Sequence, residues 1–228
     1  THEMGHFLQA VRYGVPASFP YFLPMPLNPI GTMGAVIGMQ GTDADRKELF
    51  DIGLTGPLAG LVVALPITFL GLSTAQPVEP QTAAVFGNPL LWDWMVYVIH
   101  GPLEDNMVVP LNPLATAGWV GLFLTGLNML PISQLDGGHV SYALLGSRSF
   151  WLARGVMALG VAYTVYSGYF AWVLMLLLLF LIGPTHPPTA NDKAPMGTGR
   201  IILGYVSLFI PVLCFTPEPL SRVYLNIP

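Results

Sequence analysis

Apolar runs alternate with short segments of polar residues, proline and glycine along most of the chain. Apolar runs of this length cross all or most of a bilayer core, which is about 30 Å thick. The pattern therefore predicts an all-α integral membrane protein, a polytopic bundle of about six transmembrane segments. The predicted segments are residues 1–14, where Gly14 and Pro16 stop the helix, and residues 51–73, 113–130, 150–167, 169–182 and 200–215.

The chain begins inside the first of these segments, at Thr1. We therefore expect residues 1–228 to form a single membrane domain that is truncated at its N-terminus. The sequence shows no repeat of fixed period and no sign of a separate soluble domain.

Two connecting segments have a predicted structure of their own. Residues 16–42 contain five prolines and four glycines, a density that excludes a helix. Short extended pieces at residues 18–23 and 32–39 fit better, so a short β-rich segment is expected after the first helix. Residues 90–100 predict a short helix at the membrane surface, because tryptophan and tyrosine favour the headgroup level. Its aromatic residues are Trp92, Trp94 and Tyr97.

The composition also indicates a surface that faces lipid. Charged residues make up 9% of the chain, whereas a soluble domain carries about 25%. The net charge is −4 and no basic run is present, so we expect no nucleic-acid partner. Cys214 is the one cysteine, which excludes a disulfide framework and a cysteine metal cluster within this sequence. It lies in an apolar run and is expected to be a packing residue.

The basic residues fall on one side of the predicted bundle. When the segments alternate across the membrane, only Arg222 lies on the other side. Because short cytoplasmic loops carry an excess of Lys and Arg, the basic side is predicted to be the cytoplasmic or equivalent face. We expect the active site nearer that face. The basic residues on it are Arg12, Arg46, Lys47, Arg148, Arg154, Lys193 and Arg200.

The first candidate for chemistry is the motif His2-Glu3-Met4-Gly5-His6, an H-E-x-x-H pattern. Positions i and i+4 share one face of a helix, so both imidazoles can reach a single metal ion. Zinc held in this way needs a third protein ligand and keeps one position open for water, whose pKa it lowers to about 7. Glu3 is placed to take a proton from that water. The alternative is a helix that carries two histidines by chance, which is disfavoured because ionisable groups in membrane spans are costly and usually functional.

Asp136 is the second candidate. It is the only carboxylate between Asp105 and Asp192, and it follows a nearly uncharged run where Pro131 and two glycines break the helix. A broken helix can present a carboxylate to the protein interior, so Asp136 is the best third zinc ligand. On spacing alone, an N-cap for a helix over residues 137–145 is an equally good interpretation.

The two motifs together resemble the signature of the site-2 protease family of intramembrane zinc proteases. Beside the H-E-x-x-H motif, the chain carries an Asn-x-x-Pro-x-x-x-Leu-Asp-Gly motif as Asn128, Pro131, Leu135, Asp136 and Gly137. Residues 54–60 also resemble the Gly-Pro segment of the family, and residues 16–42 resemble its short sheet region. The resemblance covers most of the chain and corresponds to the compact core of the family, without a PDZ-like insertion.

The resemblance implies a role for each motif residue. His2, His6 and Asp136 would bind Zn²⁺, Glu3 would be the general base and acid, and Asn128 would stabilise the oxyanion. Because Asn128 lies eight residues before Asp136, we expect part of the intervening chain to be helical.

The activity implied is hydrolysis of peptide bonds within or near the membrane-spanning segment of a membrane protein, as in regulated intramembrane proteolysis. The expected partners are a single-span membrane protein substrate and the lipid bilayer. A strand edge in residues 16–42 could hold such a substrate extended. The sequence does not predict an oligomeric state.

Three other interpretations remain open at this stage. A different membrane zinc protease would use a glutamate as third ligand, but no glutamate lies on a predicted apolar span. A catalytically silent binding or chaperone-like membrane protein could keep the site as structural zinc, and a transporter would show two related halves.

His139 could be a partner of Asp136 but is expected to bond or pack locally, and His100 and His186 are expected to be solvated.

Overall fold

The computed structural model describes residues 1–24, 32–39, 43–78, 86–104, 107–183 and 186–219. The described chain is mostly helical, as the sequence predicts. Its two short strands follow the first helix and pair antiparallel, with Tyr21 opposite Val36. The elements are α1 (His2–Tyr13), β1 (Tyr21–Pro24), β2 (Thr32–Val36), α2 (Arg46–Thr74), α3 (Leu90–His100), α4 (Pro113–Asn128), α5 (Asp136–Leu145), α6 (Ser149–Ser167), α7 (Val173–Ile182), α8 (Thr198–Ser207) and α9 (Ile210–Cys214).

Most element boundaries agree with the sequence prediction to within a few residues. The predicted apolar segment 51–73 forms one helix, α2, together with the more polar residues that precede it from Arg46. Among the described residues, α2 is the one helix that is both long and apolar enough to cross a membrane by itself. Shorter apolar helices cover Phe170–Ile182 and Thr198–Cys214. The number of six spans therefore stays a prediction.

The chain folds into two compact units, so the prediction of a single domain stays untested. The first comprises Thr1–Gly60 and Asn128–Leu208, and the second comprises Leu61–Leu127 and Phe209–Pro228. In the second unit, Leu72, Trp92, Ala115 and Trp119 form a buried cluster. Cys214 is buried there as a free thiol, which confirms its packing role.

In the first unit, α1 packs closely against the beginning of α2. A Cβ added at Gly5 would lie 2.7 Å from the carbonyl oxygen of Thr55, so this contact requires glycine. Next to it, Ala10, Leu49 and Ile52 belong to one buried cluster. The two helices are thereby fixed against each other along the face of α1 that carries His6.

An ionic cluster joins three helices of the same unit. The Nε and Nη2 atoms of Arg200, on α8, each lie 2.8 Å from a carboxylate oxygen of Asp51, on α2. The hydroxyl of Tyr13, at the end of α1, donates to the same carboxylate. Bidentate guanidinium–carboxylate pairs have a fixed geometry, so this cluster orients α1 as well as stabilising it.

The segment between α4 and α5 is a tight, non-helical turn over residues 129–135. The prediction that part of it stays helical is therefore wrong. The chain can turn this tightly because glycines occupy the second and third positions of α5. A Cβ at Gly137 would lie 2.0 Å from the carbonyl oxygen of Met129. The N-cap interpretation of Asp136 is also wrong, since Leu135 occupies the cap and Asp136 is the first helical residue.

Ser133 is a strained point in this turn. Its φ of 51° is in the left-handed region, and it is the one such residue other than glycine in the described chain. Its hydroxyl is buried without a hydrogen-bond partner among the described residues. Both features cost free energy, since the left-handed conformation costs about 1–2 kcal/mol for a side-chain-bearing residue.

We expect Ser133→Gly to stabilise the protein by up to about 1 kcal/mol, because it removes the strain and the buried hydroxyl together. Ser133→Val should destabilise it, since a β-branched residue tolerates a positive φ least. The measurement is thermal unfolding in detergent. Ser73→Gly, inside α2, is the control and should lower stability. A lower melting temperature for Ser133→Gly than for the wild type would contradict this account.

Candidate metal centre

His2 and His6 lie one turn apart on the same face of α1, as the helical period requires. Their Nε2 atoms are 3.1 Å apart, and their ring centroids are 4.8 Å apart. His6 is buried, whereas His2 is partly exposed. The pair thus presents two ring nitrogens to one point at the edge of the helix.

Asp136, the first residue of α5, reaches the same point. Its Oδ2 lies 3.0 Å from His2 Nε2, and its Oδ1 lies 3.3 Å from His6 Nε2. The three ligand atoms all lie within 4.8 Å of one another. The structure therefore brings together the three residues that the sequence proposes as ligands, although 130 residues separate His6 from Asp136.

The backbone of α2 fixes the orientation of His6. Its Nδ1 lies 2.7 Å from the carbonyl oxygen of Ile52. A carbonyl oxygen only accepts, so Nδ1 carries the proton and Nε2 of the neutral ring keeps a lone pair. The ring lies over Gly56, where an added Cβ would come within 2.1 Å of Nε2. A hydrogen bond from the far nitrogen to a carbonyl is the usual support of a metal-binding histidine.

With both imidazoles neutral, as metal binding requires, the arrangement brings a carboxylate and ring lone pairs together. In the tautomer set by Ile52, His6 Nε2 has no proton to give to Asp136. Asp136 Oδ2 is buried and receives no hydrogen bond of acceptable geometry from the described residues, although His2 Nε2 is 3.0 Å away. A buried carboxylate without such a partner is costly. A cation between the three side chains would remove that cost, and two imidazoles with one carboxylate are a donor set that fits zinc.

The other two proposed residues lie beside these three. Asn128 ends α4, and its Nδ2 is 3.3 Å from His2 Nε2. Glu3 directly follows His2 on α1 and is half-buried. Both are therefore next to the point where the ligand atoms meet.

Two features near the centre were not predicted in full from the sequence. One is Gly56: its small-residue spacing with Gly60 predicts a close helix contact, but not that the His6 ring lies over it. The other is the pair of His139 and His186, whose ring nitrogens lie 2.6 Å apart. The predictions that His139 bonds only locally and that His186 is solvated are therefore wrong. Nothing in the sequence pairs residues 47 positions apart.

The chain is similar to known zinc metalloproteases. The profile of Peptidase family M50 matches residues 1–176. The chain is 33% identical to the probable zinc metalloprotease EGY1, chloroplastic, of Arabidopsis thaliana, over 95% of the chain and 40% of that protein. It is 29% identical to the probable zinc metalloprotease EGY2, chloroplastic, of the same plant, over 97% of the chain and 40% of that protein.

A third relative is the probable zinc metalloprotease EGY3, chloroplastic, of Oryza sativa subsp. japonica, with 29% identity over 95% of the chain and 40% of that protein. The chain thus spans about two fifths of the length of the curated relatives it matches. No solved structure matches it significantly. The family profile covers more than three quarters of the chain and contains His2, His6 and Asp136, so the chain belongs to Peptidase family M50, the site-2 protease family of membrane-embedded zinc metalloproteases.

Proposed function

We propose that the chain is the catalytic core of an intramembrane zinc metalloprotease, which hydrolyses peptide bonds within or near the membrane-spanning segment of its substrates. The observation that carries the proposal is the convergence of His2, His6 and Asp136 on one point. The printed names of the relatives, probable zinc metalloproteases, support the same activity. The expected substrates are single-span membrane proteins, as in regulated intramembrane proteolysis.

His2, His6 and Asp136 would hold the zinc ion. Bound zinc supplies a Lewis acid that polarises a substrate carbonyl and acidifies water. The protein supplies the orientation: Ile52 fixes the His6 tautomer, and the turn before α5 brings the Asp136 carboxylate to the imidazoles.

Glu3 would act as general base and then as general acid. Its carboxylate takes a proton from the water whose oxygen attacks the carbonyl carbon. It returns that proton to the amide nitrogen as the C–N bond breaks, which leaves a carboxylic acid and an amine. A positioned acid–base group contributes about 10²–10⁴-fold to the rate.

Asn128 would donate a hydrogen bond to the oxyanion that forms at the attacked carbonyl. Its Nδ2 lies 3.3 Å from His2 Nε2. When that nitrogen serves as a metal ligand, its lone pair is used and the amide N–H is free for substrate. One such donor contributes about 2.7–4 kcal/mol to catalysis in a site that excludes water.

Exposed apolar side chains support a position inside the membrane. Val165, Leu174 and Phe180, on α6 and α7, are about 70% exposed, which is unfavourable in water unless lipid covers them. We therefore retain the prediction of about six spans in one multi-pass domain. The spans would be α1, α2, α4, α6, α7 and the α8–α9 segment.

The contacts of Arg46 support a site near the basic face. Its guanidinium donates to the carbonyl oxygens of Ala143 and Leu144 at the end of α5, and its backbone N–H donates to Asn191 O at 3.3 Å. Ile52 and Gly56 follow Arg46 by six and ten residues, which places the site about 9–15 Å along α2 from its charged end. We therefore propose that the site lies in the half of an approximately 30 Å core nearer the basic face.

The strand pair offers a means to hold a substrate. Within the described residues β1 and β2 pair only with each other, so each has an edge without a partner. A helical substrate shields its peptide bonds, and strand addition would hold it extended instead. We propose this region as the substrate-presenting element.

We expect the purified wild-type protein in detergent to hold about one zinc ion per chain, and Asp136→Ala to lose it. Glu3→Gln should keep the zinc and lose cleavage of a single-span substrate in vesicles by at least about 10²-fold. Asp93→Asn, which removes an exposed carboxylate on α3, is the control for both assays. Full zinc occupancy in Asp136→Ala would contradict the ligand set. Zinc binding without any cleavage by the wild type would favour a structural zinc site.

Gly56→Ala tests whether the His6 ring needs the space over Gly56, without changing a ligand. The added methyl group would overlap the His6 ring, so we expect zinc affinity to fall about 10–100-fold while α2 stays helical. Gly155→Ala is the matched control, because no atom lies within 4 Å of its added Cβ. Zinc competition with a chelator measures both. Wild-type affinity in Gly56→Ala would show that His6 binds in another orientation.

A further inference from the structure

Two histidines outside the proposed ligand set form a pair at the first turn of α5. His139 Nδ1 lies 2.6 Å from the Nε2 of His186, which belongs to the segment between α7 and α8. The His186 ring stacks on Tyr142, with centroids 4.5 Å apart and planes inclined by 20°. The pair meets edge to face, at 4.9 Å and 82°. His186 is therefore seated on α5 by one hydrogen bond and one ring stack.

The hydrogen bonds assign the tautomer of each ring. His186 Nδ1 lies 2.6 Å from the carbonyl oxygen of Pro187, which only accepts, so Nδ1 carries the proton. Burial lowers the pKa of His186 from its ordinary value of 6.5, so the ring is neutral at pH 7 and its Nε2 is an acceptor. His139 must then donate from Nδ1. The pair is thus directional, from His139 to His186.

The segment that carries His186 is itself tied down. Tyr142 donates from its hydroxyl to Asp192 Oδ2, at 3.1 Å. The N–H and the hydroxyl of Thr189 both donate to the other oxygen of the same carboxylate, at 3.2 Å and 2.6 Å. The N–H of Ala190 donates to the carbonyl of Ala44, just before α2, at 2.9 Å. His186 is therefore a fixed point against which α5 can be held.

The metal centre needs such a fixed point because one oxygen of the Asp136 carboxylate, Oδ2, has no hydrogen bond from the described residues to orient it. Ligating carboxylates are normally oriented by hydrogen bonds from outside the site. In the described part of the chain, Asp136 Oδ2 receives none. Its direction is therefore set by the rotation of α5, and His139 lies one turn further along that helix. His139 is also held from α2, since its Cβ lies 2.9 Å from where a Cβ at Gly53 would be.

We propose that His186 is a positioning residue for the metal centre: through its hydrogen bond with His139 it fixes the rotation of α5, and so the direction in which Asp136 presents its carboxylate. This inference rests on the proposed function in one respect, that Asp136 binds the metal. It gives the segment between α7 and α8 a role in orienting a metal ligand, although that segment lies beyond the residues that the family profile matches.

The test separates the hydrogen bond from the packing. His186→Phe keeps an aromatic ring to stack on Tyr142 but cannot accept from His139. His186→Gln loses the ring but keeps an acceptor oxygen. Lys193→Gln, at an exposed position in the same segment, is the control. The full-length protein in detergent is titrated with Co²⁺, whose visible absorption bands report the ligand geometry.

We expect His186→Phe to bind Co²⁺ about 10-fold more weakly than the wild type and to shift the absorption bands. His186→Gln should stay close to the wild type in both, and Lys193→Gln should match it. Wild-type affinity and bands in His186→Phe would overturn the proposal, as would an equal loss in His186→Gln. If Co²⁺ binding by the wild type is absent or is unaffected by Asp136→Ala, the proposed function fails, which is a distinct outcome.

A measurement on the wild type covers the case in which a variant does not fold. Nitrogen chemical shifts of ¹⁵N-labelled histidine distinguish the two neutral tautomers. We expect His139 in the Nδ1–H form, coupled to His186 Nε2, at neutral pH. An Nε2–H form of His139 would overturn the proposal, because that ring could not donate to His186.

Discussion

The close approach of α1 and α2 is the constraint on which the candidate site depends. Gly5 lets the first helix contact the carbonyl of Thr55, and Gly56 leaves room for the His6 ring over the second helix. At that separation, His6 Nδ1 reaches the carbonyl of Ile52 at 2.7 Å. A side chain at Gly5 would push the helices apart, and one at Gly56 would overlap the His6 ring, so either would disturb the orientation of His6. Small residues at helix contacts are the usual solution in membranes, where lipid gives no hydrophobic drive to association.

The second constraint is electrostatic. A buried carboxylate that faces two imidazoles costs several kcal/mol unless a cation or well-formed hydrogen bonds compensate it. Asp136 is such a carboxylate, and it directly follows a turn that contains a strained serine, Ser133. Strain and unsatisfied polar atoms concentrate at functional sites, because selection there acts on chemistry as well as on stability. A metal ion at the centre would turn this arrangement from a penalty into a binding site.

The sequence predicts some parts of this structure well, for identifiable reasons. The shared face of His2 and His6 follows from the helical period alone, and the density of proline and glycine after α1 excludes a helix. The resemblance, rather than spacing, indicated Asp136, since a cap was an equally good interpretation. Pro131 and the two glycines predicted a break after Asn128, but not that residues 129–135 are entirely non-helical, because that shape depends on Gly137 packing against the carbonyl of Met129. His186 was missed because its partner is 47 residues away, and no local pattern reports such a contact.

X-ray absorption at the zinc edge can show whether two imidazoles and one carboxylate hold the ion. The sample is the wild-type protein in detergent, loaded with one equivalent of zinc. We expect nitrogen and oxygen ligands at about 2.0–2.2 Å, outer-shell scattering from two imidazole rings, and no scattering from a sulfur ligand. A fit that requires three imidazoles, or only one, would contradict it. Three would mean that His139 or another histidine replaces Asp136.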